Sequence, residues 1–439
     1  MTTPSPARFA ALRALEAATR SQRPMQSVLD EHLRRTPLSI EDRALCTELV
    51  YGVLRLERRL NWIVDRLLRH PGKTSPLLRL LLIMGAYEGL YLARIPAHAT
   101  VNSATDLARH VLGAPMARVV NGVLRALLRE SPEALTPEAI ERQAATPVER
   151  LGVAWSLPDW IVRLWLDAYG ETTTRRLAQA SAVTPWTALR VNAARPDAPA
   201  LRNALVAGLP ECAAHHTGDF DLCLAPGIRP QNLETLLAEG RISRQGFSSQ
   251  RMLETLGVTE TRGPLWDACA GHGGKTCALL ERGVPVTLAS DTSLKRLRGL
   301  QRELCRLALP RPSVVAASAA CPPLAPHSRF NAILLDVPCS GLGTLARHPD
   351  LRRLRTPADL AGLLAIQAQI LDAAWAHLEP GGQLFYITCT LNPAENEQQI
   401  ETFLTRHADA EQECRQQDVP GEQGADMLFG ARLRKRPAR

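Results

Sequence analysis

Two cysteines in this chain sit where a thiol could do chemistry. Cys339 lies in Asp336-Val-Pro-Cys-Ser-Gly-Leu-Gly-Thr344 and Cys389 in Tyr386-Ile-Thr-Cys-Thr-Leu391, each after a short apolar run and before turn residues. A lone cysteine is usually a small buried hydrophobe. Two of them at the mouths of separate strands, flanked by hydroxyls, fit a core poorly, and a deprotonated thiol is the strongest common nucleophile near neutral pH. A third cluster, Asp267-Ala-Cys-Ala-Gly-His-Gly-Gly-Lys-Thr276, places three glycines where a strand turns into a helix. Such a turn lets the backbone approach a ligand and offers N–H groups to a carboxylate or phosphate. It is not a Walker A loop, because Cys269 stands where the first glycine is required, and Thr276 replaces the third glycine of a dinucleotide fingerprint. As pattern alone, a structural glycine turn explains it equally well. Asp291 follows the next strand, about twenty residues on, where a doubly wound fold places the acid that binds ribose hydroxyls. Alone it reads as a helix cap shared with Ser293; with the glycine turn it points to a nucleoside-bearing cofactor.

One reaction needs all of these groups. Carbon 5 of cytosine is too weakly nucleophilic to accept a methyl group until a thiolate adds at carbon 6. A carboxylate at the base edge can then hydrogen-bond to the ring nitrogen and exocyclic amine as charge develops. After transfer, a base must remove the carbon 5 proton before the thiolate can leave. Two thiols, one aspartate and a nucleoside cofactor meet these needs.

The elements that must position these groups follow from periodicity. From Gly263 onward, apolar stretches at 264–268, 284–289, 313–317, 331–335 and 383–388 alternate with helical stretches such as 294–309 and 359–377, which predicts a parallel sheet covered on both faces. Ligands of such sheets sit at the carboxyl ends of the strands, and each candidate residue falls at one. From Phe9 to Glu130 apolar residues recur at three and four, as in Leu45, Leu49 and Val53, which predicts an all-helical domain with Ser39 capping one helix. Leu77–Leu92 reads as its buried core helix, since Arg79 and Glu88 interrupt it and it is too short to span a membrane. Arg55, Arg58, Arg59, Arg118, Arg125 and Arg129 recur on these helices, where solvated faces and a nucleic-acid surface are equal readings. Between the two regions, Trp160, Leu164 and Ala168 predict the buried face of a helix, 188–192 a strand, and 232–239 a helix ended by Gly240. The expected organisation is therefore a helical domain over 1–140, a small α+β subdomain over 141–235 and a Rossmann-like α/β domain over 236–439.

Composition narrows the classes. The 439 residues are 45% hydrophobic and 22% charged, so large cores are expected and disorder is not. A formal charge of +8 fits a polyanionic partner. All but four of the 52 cations are arginines, which draws attention to Lys275. Ten cysteines without a Cys-x-x-Cys pair predict neither a zinc site nor a disulfide scaffold, and the charged residues Arg8, Arg13 and Glu16 lead us to expect no secretory signal. A cytoplasmic protein is expected, with no metal, no membrane and no partner chain, hence a monomer.

The Asp-x-Pro-Cys-Ser-Gly and Tyr-x-Thr-Cys-Thr signatures, in this order and with Glu395-Asn396-Glu397 after the second, resemble those of RNA cytosine-C5 methyltransferases. Almost end to end the chain is similar to the bacterial enzymes of the Sun/Fmu type that act on 16S ribosomal RNA. The resemblance implies Cys389 as nucleophile, Cys339 as the group assisting proton removal and product release, and Asp336 as the holder of the target base. It further implies that Cys269, Ala270, Gly271, His272, Gly273, Gly274 and Lys275 wrap S-adenosyl-L-methionine, with Asp291, Ser318 and Asp336 also at the cofactor. Segments such as Tyr51-Gly-Val-Leu-Arg55 and Asn121-Gly-Val-Leu-Arg125 resemble the NusB fold, which implies an RNA-binding or docking module. Leu189-Arg-Val-Asn192 resembles the family's small RNA-binding subdomain, and 426–435 its closing segment, here ending in the basic run Arg432–Arg439. Three departures cluster around the cofactor: Gly271-His272 where the family has Ala-Pro, Ser318 where it has aspartate, and Gly246 where it tends to have aspartate. Loss of a carboxylate that bonds the adenine amine should cost about 1–3 kcal/mol of binding. The competing readings are a cofactor-impaired RNA-binding or ribosome assembly factor, and a DNA methylase. The latter is disfavoured because those enzymes attack with the cysteine of their Pro-Cys motif and lack a Thr-Cys-Thr counterpart.

Overall fold

The computed structural model describes residues 4–143, 145–209, 214–215, 221–418 and 425–437. Of the expected basic end, Ala438 and Arg439 lie outside the described residues. The chain forms two compact units, residues 1–182 with 348–355, and residues 183–347 with 356–439. No described helix is long and apolar enough to cross a membrane.

The first unit is helical. Its helices include Pro6–Arg20, Met25–Arg35, Ile40–Arg55, Glu57–Leu67, Pro76–Tyr91, Ala97–Leu112 and Ala114–Leu127. Ser39 Oγ accepts the Asp42 N–H at 3.0 Å, the cap that the sequence predicts. Pro76–Tyr91 is buried along most of its length, and its one deep charge, Glu88, meets Arg8 through two 2.8 Å contacts. The six recurrent arginines divide in two. Arg59 is buried, its Nε donating to the Ala154 carbonyl at 2.6 Å, Arg58 pairs with Asp159 at 2.7 Å, and Arg55 is buried as well. Arg118, Arg125 and Arg129 are exposed.

Helices Pro137–Glu141, Pro147–Ala154 and Asp159–Ala182 belong to this unit, so the boundary expected at 140/141 falls inside it. The face expected from Trp160, Leu164 and Ala168 is not the buried one: Ile161, Val162 and Trp165 are inside, and Ala168 is exposed. Two adjacent apolar rows compete along that stretch, and packing selects the second. Gly170, at φ 72°, breaks the helix a turn later. The segment 348–355 joins this unit through hydrogen bonds: Asp350 Oδ2 accepts the Met25 N–H at 2.8 Å, and Arg352 Nη2 donates to the Ser181 carbonyl at 2.8 Å.

The second unit holds two sheets. The smaller is formed by β1 (Thr187–Val191), β2 (Ala214–His215), β3 (Asp221–Leu224) and β4 (Ile242–Arg244), antiparallel in the order β2-β3-β1-β4. Leu189 and Val191 face its small core, while Arg190 is buried on the opposite side. There it pairs with Glu281 through contacts of 2.7 and 2.8 Å, with both side chains almost fully buried. The larger sheet contains β5 (Leu265–Asp267), β6 (Val286–Asp291), β7 (Ser313–Ala316), β8 (Phe330–Asp336), β9 (Leu378–Thr388), β10 (Ala410–Gln417) and β11 (Phe429–Lys435). Its order is β10-β11-β9-β8-β5-β6-β7; β5 to β9 pair in parallel, and β11 and β10 add antiparallel pairings at one edge. Alternate residues of each strand feed the two cores: Leu334, Phe385 and Ile387 on one face, Ile333, Leu335 and Tyr386 on the other. Burial on both faces is why these strands read as unbroken apolar runs. The chain runs outward from β5 through β6 to β7 and then returns to β8 on β5's other side. The reversal opens a crevice at the carboxyl ends of β5 and β8, where such folds bind ligands.

Candidate active site

The glycine turn leaves the end of β5 and opens the helix Gly274–Glu281. Gly271 and Gly273 adopt φ of 56° and 87°, a region in which a side chain is strained. At Gly273 space also forbids one, since a Cβ would lie 2.3 Å from Leu300. Gly271 donates its N–H to Asp291 Oδ2 at 3.0 Å, and Ser293 N–H donates to Oδ1 at 2.8 Å, so the acid that ends β6 braces both the turn and Ser293, whose Oγ caps the next helix. Asp267, at the end of β5, is buried, and burial pushes its carboxyl up to about 6 although Thr276 Oγ1 donates to it at 2.6 Å. Its other oxygen, Oδ1, has no protein partner among the described residues.

A cavity of about 190 Å³ opens here, lined by Gln245, Ser249, Asp267, Cys269, Ala270, Gly271, His272, Gly274, Lys275 and Asp336. Space around Gly271, an unpartnered buried carboxylate oxygen and a helix N-terminus fit the amino-acid and sugar portions of a nucleoside-bearing methyl donor. Most of the turn residues expected from sequence therefore meet in one place, with Gly273 packing behind them. Ser318 is not among the residues that line this cavity; it lies just beyond the end of β7, its Oγ accepting the Ala320 N–H at 3.3 Å. Asp267, Gln245 and Ser249 were not anticipated. Asp267 carried a signal, its place at a strand end, whereas nothing local marks Gln245, which donates to the Gly274 carbonyl at 3.0 Å.

The thiols stand beside this cavity. Cys339 follows β8 and Cys389 follows β9, parallel neighbours, and their Sγ atoms are 3.2 Å apart although fifty residues separate them in sequence. Cys389 N–H also points at Cys339 Sγ, 3.3 Å away. Asp336, the last residue of β8, receives Lys275 Nζ on Oδ2 at 2.6 Å. Burial opposes the lysine's charge, but Asp336 outweighs it and holds the ammonium above its ordinary value. Cys389 is pushed well above a normal thiol, first by its hydrogen bond with Cys339, then by burial and by the nearby charge of Asp336, with Lys275 acting the other way. Cys269 is raised too, by burial and by Asp267. The Cys389 thiol is thus held protonated at rest, with the Cys339 sulfur 3.2 Å away and the Lys275–Asp336 ion pair beside them. Among the described residues no group of three or more His, Cys, Asp or Glu could hold a metal ion.

Comparison with known proteins bears on what this crevice serves. A family profile described as 16S rRNA methyltransferase RsmB/F matches residues 253–438, and one described as the NusB family matches residues 5–129. The ribosomal RNA small subunit methyltransferase B of Shewanella oneidensis is 34% identical over 90% of this chain and 91% of its own length. That of Klebsiella pneumoniae is 33% identical over 98% of both chains. Among solved structures, PH0851 superposes with a TM-score of 0.76 at 19% identity over 99% of this chain and 100% of its own. NSun6 from Pyrococcus horikoshii, solved with SFG, gives 0.54 at 18% identity over 63% of this chain and 98% of its own. At such identities these two structures speak for the fold alone.

Proposed function

The chain belongs to the ribosomal RNA small subunit methyltransferase B family, a family of methyltransferases, and on that premise we propose that it methylates carbon 5 of one cytosine in 16S ribosomal RNA through a covalent cysteine adduct. The observation that carries the proposal is the approach of Cys339 and Cys389 to 3.2 Å at the switch point, beside the Lys275–Asp336 pair.

S-adenosylmethionine, when bound against the glycine turn, would supply an electrophilic methyl group; SFG, present in a structure of the same fold, is an analogue of it. The remaining steps fall to side chains. Asp336, with one oxygen fixed by Lys275, accepts hydrogen bonds from the cytosine ring edge and stabilises charge there. Cys389 gives its proton to solvent and the resulting thiolate adds to carbon 6. Cys339 helps to take the carbon 5 proton after transfer, which releases the thiolate. The target must be single-stranded or flipped out, because a stacked base cannot reach a thiol set at the end of a buried strand.

The raised Cys389 thiol sets the pH dependence. A group that must be deprotonated to react, and whose hydrogen bond with Cys339 and burial favour the protonated form, gives a rate that climbs with pH. The single-turnover rate is expected to rise about tenfold per pH unit from about 6.5 to 8.5. A rate that is flat across this range would contradict a thiol held protonated at rest.

The direct test supplies radiolabelled S-adenosylmethionine and small-subunit RNA lacking the modification, followed by bisulfite sequencing. Label confined to one cytosine is the expected result; label on another base or position of the ring overturns the proposal. The second reading, an RNA-binding or assembly factor that handles the cofactor poorly, draws on Ser318, which stands where the family has aspartate. It would be favoured by calorimetric titration that detects no S-adenosylmethionine binding even with RNA present.

A further inference from the structure

Glu395 contributes to no step above, yet it is fully buried beside the thiols, in the turn Pro393–Glu395 after β9. Its Oε2 accepts the Ser340 backbone N–H at 2.8 Å and Gln367 Nε2 at 3.1 Å. Its Oε1 accepts Ser340 Oγ at 2.5 Å and Asn392 Nδ2 at 3.0 Å. Ser340 adjoins Cys339. Gln367, on the helix Pro357–Ala376, also donates to the carbonyl of Pro338, the residue before Cys339, at 2.9 Å. Asn392 and Glu395 belong to the chain that leaves Cys389, and Thr390 Oγ1 closes the ring at 2.6 Å from Ser340 Oγ. Tyr386 OH holds the Glu395 carbonyl at 2.8 Å.

All four donors are neutral, and among the described residues no cation pairs with this carboxylate. Burying an anion this way is unfavourable unless every lone pair is used. Merely filling the space would call for an apolar side chain. What a carboxylate adds is a rigid four-fold acceptor that joins two loops whose sulfur atoms must meet.

We propose that Glu395 is a positioning residue for the two-thiol reaction, its carboxylate setting the separation and register of Cys339 and Cys389. The inference rests on the covalent reading above. Substitution Glu395→Gln keeps the volume but turns one acceptor into a donor that faces another donor, so the loops lose register without leaving a cavity.

The test compares Glu395→Gln with the unaltered enzyme in steady-state methylation, and in a protein-only assay in which diamide oxidises vicinal thiols and peptide mapping quantifies the Cys339–Cys389 disulfide. The expected result is a kcat lowered about 100-fold with KM for RNA and for S-adenosylmethionine within about threefold, and cross-linking slowed about tenfold. Unchanged kcat together with unchanged cross-linking overturns the proposal. Should Glu395→Gln fail to fold, Gln367→Leu decides, because it removes one strut only: a smaller loss of kcat and slower cross-linking support the proposal, and neither change overturns it. Cys389→Ala, measured alongside, separates the two levels. If it retains turnover the covalent reading fails; if it is inactive while Glu395→Gln is normal, only the positioning role fails.

Discussion

Cys389→Ala is expected to lose turnover by about four orders of magnitude or more, and to form no RNA adduct that survives denaturing electrophoresis. The size of the effect follows from the chemistry. Without addition at carbon 6, carbon 5 remains too poor a nucleophile to accept a methyl group, so no partial route is left. Binding should be spared, because Cys389 is not among the residues lining the cavity formed by the glycine turn, and alanine removes only the sulfur. Methyl transfer from radiolabelled donor and a denaturing gel of enzyme with RNA provide the two readouts. A trapped adduct in this variant would reverse the roles of the two cysteines.

Cys339→Ala is expected to behave oppositely, accumulating the covalent RNA adduct while multiple turnover falls about 10²- to 10⁴-fold. The structure adds a reason that the signatures alone do not contain. The hydrogen bond with Cys339 is the largest influence raising the Cys389 thiol, and the charge of Cys339 would raise it further. Removing Cys339 therefore leaves Cys389 easier to ionise, so addition should proceed at least as readily. Release is then what fails, since the carbon 5 proton has lost its acceptor. A slowly migrating protein–RNA band that grows with time and requires Cys389, tested in the Cys339→Ala, Cys389→Ala double variant, checks this. Absence of the band in the single variant, with turnover equally lost, would place Cys339 in the addition step instead.

Much of the catalytic domain was legible because its signals are local. Apolar runs bounded by turn residues marked β5, β6, β7, β8 and β9 to within a few residues, except that β9 begins earlier, at Leu378, where Pro380, Gly381 and Gly382 disguise it. The glycines at 271 and 273 were readable because positive φ leaves few alternatives. Helix 159–182 was misread for a local reason as well: two neighbouring apolar rows fit the same period, and only neighbours in space could choose between them. Arginine roles were illegible for the same cause. Arg59 and Arg125 look alike in sequence, yet one reaches a carbonyl near a helix end and the other meets solvent.

By itself the sequence determined the types of the reacting groups, the strands and turns that carry them, and the family in which they occur, because periodicity, capping and turn chemistry act over three or four residues. Tertiary structure alone decided that β8 returns to the far side of β5, and with it that Lys275 meets Asp336 and that Cys339 lies 3.2 Å from Cys389. It also decided that the buried Glu395 ties both thiol loops and that residues 348–355 join the helical unit. These are contacts between residues tens to hundreds of positions apart. Their geometry is set by strand order and by competition among packing partners, neither of which leaves a mark in any short window of the chain.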